Sequence, residues 1–384
     1  MPDERQPRPA RAYPKVLLIE EGMREGFQIE DAGIPVADKL RLLDKLSETG
    51  LRRIVVGSFV SPKWTPQMAE VDRLVEQMTP APGVTYTALA LNERGRERMA
   101  THMPPLSWPS ELPETLVHAC DVFAQRNTGR NQQAEIDSWK TILARALEAG
   151  ARQAGIGVNA AWGSNWLGDF GLETRMDLLT RQYEMWTEQG IEVVKVFLGD
   201  PMGWNMPDQV EEQLAEIIRV WPGINTFHLH LHNTRGTAPI SIYMALRTLR
   251  PTDTLIIDGS VGGMAGCPYC GNGRAASLIP TEDLVYLLEE LGIPTGVDLD
   301  KLIDAVILAE EIVGHPLYGH VSKAGGRPRG DRLYPMDMPF VETLDEAQHF
   351  RLGPKVYEGA ISPWKAPITS PYRTDSGKEI VHGD

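Results

Sequence analysis

The stretch from Glu192 to His232, EVVKVFLGDPMGWNMPDQVEEQLAEIIRVWPGINTFHLHLH, holds one full unit of the pattern that repeats along this chain. Glu192–Gly199 is a short run rich in Val and other apolar residues. Pro207–Trp221 follows with helical periodicity and Pro at its start, and Thr226–His232 opens the next apolar run. Runs this continuously apolar suit parallel strands covered on both faces.

Working outward, the alternation recurs about eight times. The expected strands are Val16–Glu20, Ile54–Ser58, Val84–Leu91, Leu116–Val122, Gln153–Ala160, Glu192–Gly199, Thr226–His232 and Thr254–Ser260. The expected helices between them include Val36–Thr49, Thr65–Met78, Glu135–Ala149, Glu173–Gln189, Pro207–Trp221 and Ala238–Leu249. Such alternation implies right-handed βαβ units. No GxGxxG follows an early strand, so a closed (β/α)8 TIM barrel is favoured over an open dinucleotide-binding sheet.

Further helices are expected at Thr281–Leu291 and Leu299–Val313. Residues 1–15 read as a flexible segment and 16–313 as the barrel. Residues 314–384 read as a Gly/Pro-rich C-terminal extension with a short helix near Leu344–Phe350. The aromatic residues Tyr334, Phe340, Tyr357 and Trp364 argue that this extension packs on the barrel.

Hydrophobic content of 42% with 23% charged residues is enough for a large core and argues against disorder. A net charge of −14 excludes a protein built to wrap phosphate backbones. No apolar run of about 18 residues marks a membrane span. The N-terminus MPDERQPRPARAYPKV lacks the apolar core of a signal peptide. Three cysteines, Cys120, Cys267 and Cys270, are too few for a disulfide framework and suit a reducing compartment, so the cytoplasm is expected.

Five segments carry chemistry. In Thr226-Phe-His-Leu-His-Leu-His-Asn, residues at i, i+2 and i+4 share one strand face, so His228, His230 and His232 point together. The lumen's C-terminal mouth is where barrels place ligands. Histidine with carboxylate suits Mn²⁺, Mg²⁺ or Fe²⁺, and the blander reading is a set of hydrogen-bonded core histidines. After the first strand, Glu20-Glu21-Gly22-Met23-Arg24-Glu25-Gly26-Phe27-Gln28 reaches the same mouth. There an acid can complete a metal site and an Arg can stabilise an enolate, although a solvated turn would look similar. After the eighth strand comes Asp258-Gly-Ser-Val-Gly-Gly-Met-Ala-Gly-Cys267-Pro-Tyr-Cys270, a Gly-rich candidate lid. Its CxxC pair alone is half a zinc site, and a redox motif would sit at a helix start. Asp200 ends the sixth strand as a mouth acid or a helix N-cap, and Gly57-Ser58-Phe-Val-Ser-Pro-Lys63-Trp follows the second as a substrate-facing loop or a connector.

Together these segments resemble the 3-hydroxy-3-methylglutaryl-CoA lyase family, within the metal-dependent lyase and Claisen-condensing barrels. The resemblance rests on Arg24-Glu25-Gly26-Phe27-Gln28, Ser58 through Trp64 with Pro66-Gln67-Met68, and His230-Leu-His232-Asn-Thr-Arg-Gly236. It continues through Ser260-Val-Gly-Gly-Met-Ala-Gly-Cys267-Pro-Tyr269 and Thr281–Gly296. It implies retro-Claisen cleavage of a branched 3-hydroxyacyl-CoA to acetyl-CoA and a keto acid, with Mg²⁺ or Mn²⁺. Carried over, Glu25, His230 and His232 become metal ligands. Arg24 becomes the enolate stabiliser, Cys267 the lid residue in proton transfer, and Asp200 the remaining catalytic acid. Gln28, Ser58, Lys63, Asn233 and Ser277 fall to substrate and CoA binding. Relatives also suggest a homodimer.

The departures are specific. Glu25 stands where the family has Asp, and Val55 where it has an acid. Ser277 aligns with the family's Asn ligand, and Asn233 replaces an acid. Gly163–Gly168 replaces a Cys-containing loop and places a Trp pair, Trp162 and Trp166, at the substrate pocket. A Claisen-condensing direction is the alternative, though such relatives usually carry long C-terminal domains. A barrel with a degraded metal site kept for binding is the non-enzymatic reading.

Overall fold

The computed structural model describes residues 11–270, 277–330 and 333. The chain divides into two compact units, Met1–Gly319 and His320–Asp384. In the first, the barrel strands are β1 (Lys15–Glu20), β2 (Arg53–Ser58), β3 (Thr85–Leu89), β4 (Val117–His118) and β5 (Gln153–Asn159). A two-stranded antiparallel hairpin follows, β6 (Gly163–Ser164) and β7 (Gly168–Asp169), and then β8 (Glu192–Asp200), β9 (Thr226–Leu231) and β10 (Thr254–Gly259). The eight barrel strands pair in parallel in the order β3-β2-β1-β10-β9-β8-β5-β4, the arrangement of a (β/α)8 barrel. Edge strands β3 and β4 share no ladder, and β3 makes an isolated bridge from Tyr86 to Leu106 on the run toward β4.

The helical layer comprises α1 (Val36–Ser47), α2 (Val71–Gln77), α3 (Glu93–Ala100), α4 (Asp121–Thr128), α5 (Gln132–Glu148), α6 (Leu172–Thr187), α7 (Pro207–Val220) and α8 (Ala238–Thr248). After β10 come α9 (Thr281–Glu290) and α10 (Leu299–Val313). The expected strand Leu116–Val122 shrinks to the two residues of β4. Cys120 caps α4, its sulfur accepting from the Phe123 amide, so the second half of that apolar run turns helical. Helix α3, also absent from the sequence reading, is capped by Asn92, whose side chain accepts from Gly95. The expected helix Thr65–Met78 splits into a 3₁₀ turn, Pro66–Met68, and α2.

Ile19, Val55 and Ile256 form a small cluster of their own inside the barrel. The register pairs Ile256 with His228 and His228 with Phe197, so these residues share the lumen face. Outward-facing strand residues such as Phe227, Leu229 and Leu255 pack under the helices. Lower in the lumen Lys195 pairs with Glu114 at 2.8 Å. Gly155 leaves the room this needs, because a Cβ there would lie 2.9 Å from the Glu114 side chain.

No helix among the described residues is long and apolar enough to cross a membrane. In the second unit the structure shows α11 (Val321–Ala324). The expected helix Leu344–Phe350 and the aromatic residues Tyr334, Phe340, Tyr357 and Trp364 lie outside the described residues.

Candidate active site

The first candidate segment begins where β1 ends. Residues Gly22–Gly26 form a π-helical turn, in which the amides of Arg24, Glu25 and Gly26 all donate to the Glu21 carbonyl. Such wide turns recur at functional sites because they re-aim side chains that an α-turn would direct elsewhere. The turn packs tightly against the loop after β10. A Cβ on Gly22 would sit 2.6 Å from Val261, and one on Gly26 2.7 Å from Met264. Glycine is required at both positions by close approach.

This turn delivers Glu25 to the histidines of β9. Glu25 Oε1 lies 2.9 Å from His232 Nε2, and Oε2 lies 3.4 Å from His230 Nε2. The three residues are buried, and one ligand atom from each lies within 4.8 Å of the others. Glu25 Oε2 is buried without a hydrogen-bond donor, although Arg24 Nη1 stands 2.9 Å away. Two imidazoles with one carboxylate form a donor set that fits a divalent cation, and the three residues are a candidate metal site.

The electrostatics match that reading. Burial opposes ionisation of Glu25, but Arg24, His230 and His232 hold its carboxyl well below the ordinary range. Burial likewise disfavours a charged His230, yet Glu25 and Asp258 push it up to about 10. Its Nδ1 faces Asp258 Oδ2 at 2.8 Å, which leaves Nε2 toward Glu25. A carboxylate behind a ligating imidazole fixes ring and tautomer in this way. In the sequence Asp258 reads only as the start of a Gly-rich loop. Its role emerges from the register that sets β10 beside β9.

Arg24 is clamped on two sides, with Nε donating to Glu21 Oε2 at 2.7 Å and Nη1 near Glu25. Both acids outweigh burial and keep the guanidinium protonated. Glu21, buried and pushed up to about 7 chiefly by that burial, is a site residue with no role assigned from sequence. The pairing of Glu20 with Ile54 places Glu21 next to Val55 at the strand ends.

Asp200 ends β8 fully buried, but outside the metal triad. Its carboxylate accepts from the amides of Trp204 and Asn205 and from Asn205 Nδ2, and its carbonyl accepts from the His232 amide. It therefore holds the loop after β8 against β9 and does not cap α7, whose N-cap is Met206. Burial raises its carboxyl despite these donors.

Cys267 is buried in a cluster with Cys120, Phe123, Ala160, Met202 and Cys270, over the ends of β4, β5 and β8. Trp166 packs on this cluster, whereas Trp162 lies fully buried in the core between barrel and helices. The expected Trp pair is thus split, Trp162 before the hairpin entering the core and Trp166 in its turn packing on the cysteine cluster.

The remaining candidates are spread around the rim. Ser58 is buried with no hydrogen-bond partner for its hydroxyl. Asn233 donates its amide to the Ser277 carbonyl at 2.6 Å and accepts from Ala238 at the start of α8. Gln28 is half-buried in the 3₁₀ turn Phe27–Ile29, and Lys63 is exposed, its ammonium 5.2 Å from the Trp64 ring.

Comparison with known proteins gives a consistent result. The family model described as HMGL-like matches residues 15–308. The mitochondrial hydroxymethylglutaryl-CoA lyase of Gallus gallus is 32% identical over 294 residues, covering 76% of this chain and 92% of that one. A 3-hydroxy-3-isohexenylglutaryl-CoA/hydroxymethylglutaryl-CoA lyase of Pseudomonas aeruginosa is 33% identical over 296 residues, 76% and 90% of the two chains. Among solved structures, an HMG-CoA lyase from Acinetobacter baumannii in complex with coenzyme A and 3-methylmalate superposes with a TM-score of 0.67. It is 26% identical and covers 84% of this chain and 98% of that one. With its barrel, its Glu-His-His cluster and these relatives, the chain belongs to the HMGL-like family and is a carbon–carbon lyase.

Proposed function

We propose that this enzyme cleaves a 3-hydroxy-3-methylglutaryl-CoA-like thioester to acetyl-CoA and a keto acid, using Mg²⁺ or Mn²⁺. The observation that carries this is the buried triad Glu25, His230 and His232 beside Arg24 at the barrel mouth. A divalent ion there would polarise the hydroxyl and carbonyl oxygens of the substrate.

The chain's own residues supply the rest. A base takes the hydroxyl proton, the alkoxide collapses to a ketone, and the electrons of the broken C–C bond become the acetyl-CoA enolate. Arg24, with N–H groups beyond those committed to Glu21 and Glu25, meets that negative charge. Cys267 delivers a proton to the enolate carbon. Asp200 positions His232 through the backbone. Ser58, Asn233, Ser277, Gln28 and Lys63 contact the substrate and its CoA arm, and the unsatisfied Ser58 hydroxyl supports this most directly. The three cysteines are free thiols, which supports a reducing cytoplasmic setting.

The test is a panel of 3-hydroxy-3-alkylglutaryl-CoA esters, from methyl to isohexenyl, with acetyl-CoA release followed in the presence of Mg²⁺ or Mn²⁺. Release from at least one ester, lost on chelation, is expected. Failure of every ester in metal-loaded, folded protein overturns the assignment.

A further inference from the structure

His228 lies one residue pair below His230 on β9 and contributes nothing to the metal triad, yet it is placed with care. Its Nε2 sits 2.8 Å from Asp258 Oδ1, while the other oxygen of the same carboxylate holds His230 Nδ1 at 2.8 Å. One buried carboxylate is therefore shared between two imidazoles. The edge of the Phe197 ring fixes His228 from the β8 side, with centroids 5.0 Å apart. Beneath lies the Glu114–Lys195 pair, in which Lys195 overcomes burial and holds the Glu114 carboxyl below its ordinary range.

A carboxylate has two oxygens and rotates about its Cβ–Cγ bond. Held at one oxygen only, Asp258 could swing and release His230 Nδ1, and the ring could turn its Nε2 edge away from Glu25. Held at both, it cannot. We infer that His228 is a positioning residue for the metal site. It pins Asp258, which in turn orients His230 for metal binding. The inference rests on the reading of Glu25, His230 and His232 as metal ligands but not on any particular substrate.

The experiment is Mn²⁺ binding to the purified full-length chain, with the metal alone and no substrate, by electron paramagnetic resonance or titration calorimetry. Far-UV circular dichroism and thermal midpoint serve as fold controls. His228→Ala is expected to weaken Mn²⁺ binding about tenfold or more, the usual scale for an outer-shell partner of a ligating His. His228→Phe preserves the packing against Phe197 and is expected to weaken it equally. His228→Gln, whose Nε2 can donate to Asp258 in place of the imidazole, is expected to stay within about threefold of wild type on the same scale. A role in packing alone predicts the reverse, with Phe preserving affinity and Gln losing it, and that result overturns the inference. Wild-type affinity in a folded His228→Ala or His228→Phe protein also overturns it. Failure of the metal reading itself is recognised separately, because the wild-type chain would then bind no Mn²⁺ and a His230→Ala control would change nothing.

Discussion

Arg24 commits Nε to Glu21 and leans Nη1 on Glu25, so its remaining N–H groups are presented in one fixed orientation. Arg24→Ala is expected to lower kcat by about 10²–10³, the usual scale for losing one oxyanion donor. Arg24→Lys should not restore it, since an ammonium cannot make both contacts and still reach the substrate. Steady-state kinetics on the best ester of the panel decides this. Glu25 is one methylene longer than an Asp, and at that length its carboxylate reaches both histidines, Oε1 at 2.9 Å from His232 Nε2 and Oε2 at 3.4 Å from His230 Nε2. Glu25→Asp should therefore weaken Mn²⁺ binding about tenfold rather than improve it, as read by the same metal titration. Period-2 spacing sets His228, His230 and His232 on one face in the sequence, whereas Arg24 and Glu25 stand out from the charged run after β1 only through the family resemblance. Asp258 and Glu21 were not legible as partners. Asp258 meets its histidines across a strand register, and Glu21 looks like any charged residue in a turn.

The loop after β10 is anchored by two acids that a turn-and-loop reading passes over. Glu20 accepts from the Val261 and Gly22 amides and from the Thr281 hydroxyl, and Glu282 accepts from the Gly262 amide. Burial pushes Glu20 up to about 7 and Glu282 to about 8, from an ordinary 4.5. A raised value means the folded state binds these protons more tightly than the unfolded chain. The stability they contribute is therefore full below about 4.5 and lost as pH rises through 7 to 8. The thermal midpoint should fall between pH 5 and pH 9, and Glu282→Gln should flatten part of that fall. A slope unchanged in Glu282→Gln would contradict the assignment. Gly26→Ala should act on the same loop from the other side. Its methyl would meet Met264 and displace the lid root, and steady-state kinetics should show lowered activity. At this scale the sequence predicts strands and long helices well, because both faces of a parallel strand must be apolar. It fails at β4, where one apolar run serves a strand and a helix start at once.

The eight-fold alternation was enough to predict the barrel, because few other architectures bury so many parallel strands. Less legible was where the barrel unit ends, since Gly314 caps α10 while the amides of Tyr318 and Gly319 still bond to the Gly262 carbonyl. Every proposed metal donor lies before Gly319, so a chain shortened to that residue is expected to keep its Mn²⁺ binding. A large loss in the titration would assign the second unit a part in the site. The seam between β3 and β4 has a consequence for motion. Strands paired on one side only are the first to open, and their amides should exchange with deuterated solvent fastest among the barrel strands. In the strand order, β9 and β10 stand farthest from that seam. The barrel can therefore breathe at its edge while His230 and Asp258, on the opposite wall, keep their protected amides and their alignment.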